Sequence, residues 1–136
     1  MQSRGILLVE DDSDDQEFFI TALSGIKNID QFEIANNGKE AIEILAAALV
    51  PPRLIFMDIN MPVMNGIECL SEVLKNPQTR NIPVVMLSTS VVYREQVLKI
   101  GAKAFIEKPR DIEKLRGQLE RIVNLEFGKY EMHLPE

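Results

Sequence analysis

The feature that most restricts how this chain can fold is a fivefold alternation. Short, largely apolar runs stand at Ile6-Leu7-Leu8-Val9, Phe32 to Ala35, Leu54-Ile55-Phe56-Met57, Pro83-Val84-Val85-Met86-Leu87 and Ala104-Phe105-Ile106. Each reads as a strand, and the continuous run Ile6-Leu7-Leu8-Val9 is consistent with one buried on both faces. Between and after these runs, apolar residues recur at helical spacing. The first four sets are Phe18, Phe19, Ala22 and Leu23; Ala41, Ile42, Leu45, Ala48 and Leu49; Ile67, Leu70, Val73 and Leu74; and Val91, Val92, Val97, Leu98 and Ile100. The last set is Ile112, Leu115, Leu119, Ile122 and Val123. The punctuation agrees. Asp12-Ser13-Asp14 and Asp111 offer capping oxygens, Asn36-Asn37-Gly38 and Asn65-Gly66 signal turns, Pro51-Pro52 stops the second helix, and Gly101 closes the fourth.

Five strand–helix units predict an α/β fold with a parallel sheet covered by helices on both faces, and right-handed crossovers limit its topology. The expected architecture is a flavodoxin-like (βα)5 doubly wound parallel sheet with strand order 2-1-3-4-5. It is preferred to half of a dinucleotide-binding unit because no Gly-x-Gly-x-x-Gly follows the first strand. The length, 136 residues at 46% hydrophobic, suits one domain, which buries roughly two thirds of its unfolded surface. The reading is a domain over 1–126 and a tail over 127–136 that carries no output domain.

Other classes are disfavoured. The longest apolar run, Ile44 to Val50, is far short of the roughly 18 residues of a membrane span. The N-terminus turns acidic after one short apolar stretch, unlike a signal peptide, so a cytoplasmic protein is expected. A net charge of −6 argues against nucleic acid as the main partner. One cysteine, Cys69, excludes an internal disulfide and a Cys-rich zinc site, and reads as helix packing. One histidine, His133, excludes any mechanism needing two.

The chemistry gathers at strand ends. Glu10-Asp11-Asp12 follows the first strand, Asp58 and then Asn60 the third, Ser88-Thr89-Ser90 the fourth, and Lys108-Pro109 the fifth. A parallel sheet brings all of these to one edge, and ligands of such sheets bind where the strand order reverses, here between strands one and three. Three carboxylates meeting there repel one another unless a cation intervenes. The candidate ligands are all oxygens, which selects Mg²⁺ or Mn²⁺ over zinc. With Lys108 and Ser88 opposite, the pocket is suited to a phosphoryl group. Asp12, Asp14 and Asp15 are assigned to helix-start chemistry instead.

Four separated motifs, VEDD, MDINMPVMNG, PVVMLSTS and GAKAFIEKP, resemble the receiver domain of two-component response regulators over about Ile6 to Val123. The resemblance implies Asp58 as phosphoacceptor, Asp11 directly on Mg²⁺, Glu10 acting through water, and Asn60 contributing its backbone carbonyl. It implies that Ser88 reports phosphorylation, that Lys108 contacts phosphoryl oxygens, and that Phe105 is the aromatic switch. A cis peptide bond would precede Pro109, and Asn60 and Ser90 would tune dephosphorylation. The implied donor is a phosphohistidine. Because His133 lies in the tail, that donor should arrive on another protein, a sensor histidine kinase or histidine phosphotransfer protein. The implied output is a remodelled helix 4–strand 5–helix 5 face that binds a target protein or a second copy, or a relay to another histidine. Phe127, Tyr130 and Leu134 could pack back on the domain or on a neighbour.

Two rivals share the fold. An aspartyl-phosphate phosphohydrolase needs a second acid two residues after the nucleophile, but the chain reads Asp58-Ile59-Asn60, so no enzyme is expected. A flavin or nucleotide carrier is disfavoured by the acidic loop after strand one and by the lack of a Gly-rich phosphate loop.

Overall fold

Every apolar run becomes a strand. The computed structural model describes residues 5–131, and side chains as far as 127. The elements are β1 (Gly5–Val9), α1 (Ser13–Leu23), β2 (Gln31–Ala35), α2 (Gly38–Ala47), β3 (Leu54–Asp58), α3 (Gly66–Lys75), β4 (Val84–Ser88), α4 (Arg94–Ile100), β5 (Ala104–Glu107) and α5 (Ile112–Glu131). A single 3₁₀ turn, Val91–Tyr93, leads into α4. The five strands form one sheet in the order β2-β1-β3-β4-β5, and every neighbouring pair is parallel. This is the expected flavodoxin-like arrangement.

Strand side chains alternate between faces, so the sheet divides the core in two. Leu7, Val9, Ile55, Met57 and Met86 pack with Leu45, Leu70 and Val73 from α2 and α3. Ile6, Leu8, Leu54, Phe56, Val85 and Leu87 pack with Phe19 and Leu23 of α1 and Leu115, Leu119 and Val123 of α5. Because both faces are covered, β1, β3 and β4 are buried along their whole length. The helix starts are built as expected. Asp12 accepts a hydrogen bond from the Asp15 N–H, and Asn65 forms a reciprocal capping box with Glu68. Cys69 is buried in α3, its thiol 3.6 Å from the Gly38 carbonyl, and burial pushes that thiol up to about 12.

Four sequence expectations need correction. The second helix ends at Ala47, and Leu49, expected on its apolar face, is 99% exposed; the residue before Pro51 must be extended, and the chain has left the helix by then. In α4 only Val97 is buried; Leu98 and Ile100 of that helix, and Val91 and Val92 of the 3₁₀ turn before it, are exposed, because a helix of 7 residues turns just one of these positions to the core. The last helix does not stop near Val123, nor does a tail begin at 127. Instead α5 runs to Glu131, Phe127 is 1% exposed within the α1–α5 core, and the Arg53 guanidinium lies 5.5 Å from its ring centroid. Among the described residues no peptide bond is cis, so Lys108–Pro109 is trans. The Tyr130 side chain, His133 and Leu134 lie outside the described residues.

Candidate functional site

Sheet register assembles the site. Val9 pairs with Met57, so Glu10 and Asp58 leave the sheet at the same level on adjacent strands. Asp58 pairs with Leu87, and the Lys108 N–H donates to the Ser88 carbonyl at 2.8 Å. That bond extends the β4–β5 ladder and aims Lys108 back across the strand ends. Its Nζ lies 2.8 Å from Glu10 Oε1, 2.9 Å from Asp58 Oδ1 and 3.1 Å from Asp15 Oδ2.

Burial and charge compete here. Glu10, Asp58 and Ser88 are buried, while Asp11 is exposed. Burial, helped by the nearby Asp58 charge, raises the Glu10 carboxyl to about 7 even though Lys108 hydrogen-bonds to it. Burial also raises Asp58 above its ordinary value, against the pull of Lys108. Lys108 behaves oppositely: burial disfavours its charge, but hydrogen bonds to Glu10 and Asp58 outweigh that and raise it above its ordinary value. One ammonium shared by several acids stays charged, while no single acid receives full compensation.

The backbone around these groups is tightly placed. Glu10 Oε2 accepts from the Asp12 N–H at 3.1 Å, and the Glu10 carbonyl accepts from Gln16 Nε2 at 2.6 Å. After β3 the chain doubles back, with the Gly66 N–H donating to the Ile59 carbonyl at 2.8 Å. A Cβ on Gly66 would sit 2.2 Å from the Asp58 carbonyl oxygen, so only glycine allows this approach. Within the same loop the Met64 N–H reaches the Pro62 carbonyl at 2.8 Å, and Val63 between them has φ +70°. This is a γ-turn, a strained conformation for a β-branched residue.

Of the residues singled out in the sequence, Glu10, Asp11, Asp58 and Lys108 converge. One oxygen from each of Glu10, Asp11 and Asp58 lies within 4.8 Å of the others. Ser88 stands at the end of β4, its hydroxyl accepting from the Ser90 N–H at 3.1 Å. The Asn60 side chain is exposed, and Phe105 is half-buried against the α2–α4 side of the core. The chain's one cysteine is occupied elsewhere, so the donor set is all oxygen, and one ammonium leaves it net negative. Those properties fit a hard divalent cation. Asp15, read from sequence as helix-start chemistry only, also contacts Lys108. The two are 93 positions apart, and no local pattern links them. Beside Lys108, a cleft of about 560 Å³ opens between α1 and the β5–α5 loop, with Asp15, Phe18, Pro109 and Arg110 in its walls.

A five-stranded sheet in this order with an acidic pocket at the reversal of strand order is the arrangement expected of a receiver domain, and the comparisons agree. Residues 6–120 match the response regulator receiver domain family. The chain is 33% identical over 119 residues to a probable cyclic di-GMP phosphodiesterase of Vibrio cholerae serotype O1, across 86% of this chain and 26% of that protein. It resembles the phosphorylated cyanobacterial phytochrome response regulator RcpA with a TM-score of 0.84 at 27% identity, covering 93% of this chain and 96% of that one. It also resembles the Mn²⁺-bound form of the response regulator Rcp1, with a TM-score of 0.77 at 29% identity, covering 89% and 92%. This chain belongs to the response regulator receiver domain family. Such domains accept a phosphoryl group from histidine kinases and bind Mg²⁺ in an acidic pocket. The chain spans less than half the length of the curated relatives it matches, and those named as a phosphodiesterase and a methylesterase are matched over 26% and 34% of their length. No described helix is long and apolar enough to cross a membrane.

Proposed function

We propose that this receiver takes a phosphoryl group onto Asp58 and signals through a change in its own surface. The observation that carries the reading is the contact of Lys108 Nζ with both Glu10 and Asp58, beside Asp11. An Asp58 carboxylate oxygen attacks phosphorus in line, the bond from phosphorus to the donor breaks, and the donor leaves with the electron pair. Glu10, Asp11, Asp58 and the Asn60 carbonyl are the groups that would hold Mg²⁺, or Mn²⁺ in its place, with Glu10 acting through water. When bound, the ion supplies positive charge opposite the phosphoryl oxygens.

The remaining work falls to the chain's own side chains. Lys108 passes a hydrogen bond from the Asp58 carboxylate to the phosphoryl oxygens. The Ser88 hydroxyl turns toward the new group, Phe105 moves into the space behind it, and the α4–β5–α5 face changes. Only contacts absent from the free carboxylate can shift such an equilibrium.

The donor is a sensor histidine kinase or histidine phosphotransfer protein. The recipient of the signal is a downstream protein or a second copy bound through the α4–β5–α5 face, with neither nucleic acid nor membrane as partner. Action as a stand-alone receiver is supported by the near-complete coverage of RcpA and Rcp1. A cytoplasmic location belongs to the same proposal, because a phosphohistidine donor is charged from ATP. We propose no catalytic turnover by the chain itself, since Asn60 stands where a phosphohydrolase needs an acid. Incubation with acetyl phosphate and Mg²⁺ should add the mass of one phosphoryl group, and Asp58→Ala should abolish the gain. A gain that survives in Asp58→Ala, or no gain at all, would overturn the assignment. Sizing with and without beryllofluoride then tests the change of surface.

A further inference from the structure

We infer that Asp15 is a positioning residue for phosphoryl transfer: from the first turn of α1 it holds the outer side of the Lys108 ammonium and competes for it with an incoming phosphoryl group. This rests on the reading of Asp58 as the acceptor. An ammonium has three N–H donors, and three carboxylates surround this one, Glu10 at 2.8 Å, Asp58 at 2.9 Å and Asp15 at 3.1 Å. Two of the three are buried; Asp15, whose side chain is 47% exposed, forms the outer side and lines the cleft beside Lys108.

Its placement is built into the fold. The Asp15 N–H donates to the capping Asp12 carboxylate at 2.9 Å. The next residue, Gln16, ties α1 to the Glu10 carbonyl at 2.6 Å and to the Asn36 side chain at 2.9 Å. Asp14, in the same turn, is exposed and lines the same cleft, but Lys108 is held by Asp15.

When acetyl phosphate is the donor, an Asp58 oxygen forms the new O–P bond, the P–O bond to the acetyl group breaks, and acetate leaves with the electron pair. Lys108 can meet the phosphoryl oxygens only by releasing a carboxylate. Its bond to Asp58 passes to the group that Asp58 now carries; a second contact with that group requires one more carboxylate to be given up, and Glu10 lies on the buried side. The partner to be surrendered is therefore Asp15. Removing its charge leaves the ammonium more available to the phosphoryl oxygens.

The test is the rate of mass gain of the full chain in acetyl phosphate and Mg²⁺. Asp15→Asn should be faster than the wild type by about three- to tenfold, the scale of one partly solvated charge at this range. Asp15→Glu, which restores the carboxylate, should return close to the wild-type rate. Asp14→Asn, an equal loss of charge in the same turn, should stay within about twofold of the wild type on the same scale. In a Lys108→Met background the gain from Asp15→Asn should vanish. An unchanged or slower Asp15→Asn overturns the inference. So does an equal gain from Asp14→Asn or one that persists without Lys108, because either describes a general field effect. Failure of the wild type to gain mass is a separate result, and it removes the Asp58 assignment itself.

Discussion

Glu10 is an acid whose ionisation opposes folding, and solution pH should expose it. Its carboxyl is buried and raised from 4.5 to about 7, chiefly by burial. In the folded state it binds its proton more tightly than in the unfolded state, so its contribution to stability is full below about pH 4.5. That contribution declines as pH rises and is gone above about pH 7. The whole loss amounts to at most about 3 kcal/mol. For a chain of this size that corresponds to a fall in Tm of roughly 10 °C. Asp58, raised by the same burial, adds to the slope with the same sign. Lys108 is raised above 10.5, so its contribution persists through this window. Glu10→Gln keeps an oxygen for Lys108 and discards the titration. Urea unfolding in EDTA, followed by circular dichroism from pH 5 to 8.5, should show the variant close to the wild type near pH 5. At pH 8 it should be more stable by about 1–3 kcal/mol. Parallel stability curves for the two proteins across that range would refute the account of Glu10.

Mg²⁺ should raise the Tm with a dependence on concentration set by mass action; Asp11→Asn, at an exposed position, should lose most of that rise in a thermal melt while keeping the metal-free Tm. Gly66→Ala places a methyl group against the Asp58 carbonyl and should cost about 2–4 kcal/mol in urea unfolding, so a neutral result would contradict the close approach. Val63→Gly should relieve the left-handed turn and raise stability by about 1 kcal/mol, and a clear loss would argue against strain there. Phe127→Ala should cost about 3 kcal/mol if the ring is core, whereas a loss under about 0.5 kcal/mol, typical of surface positions, would return it to the tail.

The order of elements and the polar rim were readable from sequence because both are local properties. Ile6 to Val9 and Leu54 to Met57 are short runs, apolar without interruption, as in a strand covered on both sides, and each is followed at once by an acid. Once the strand order is set, Glu10 and Asp58 must emerge side by side. Residues whose placement depends on distant neighbours were not readable in this way. Val91, Val92, Leu98 and Ile100 have the composition of a buried face but lie exposed, since burial depends on what the rest of the fold brings against them. Phe127 lies past the last clear periodic repeat, and the guanidinium over its ring comes from Arg53, the residue before β3.

The sequence alone thus determined five strand–helix units and a pocket of acids closed by one lysine, because periodicity and strand ends act over a few residues. Only tertiary structure decided that Lys108 is shared with Asp15 and that α5 extends to bury Phe127. Each of those contacts joins residues more than 70 positions apart, and nothing in the neighbourhood of either partner encodes the other.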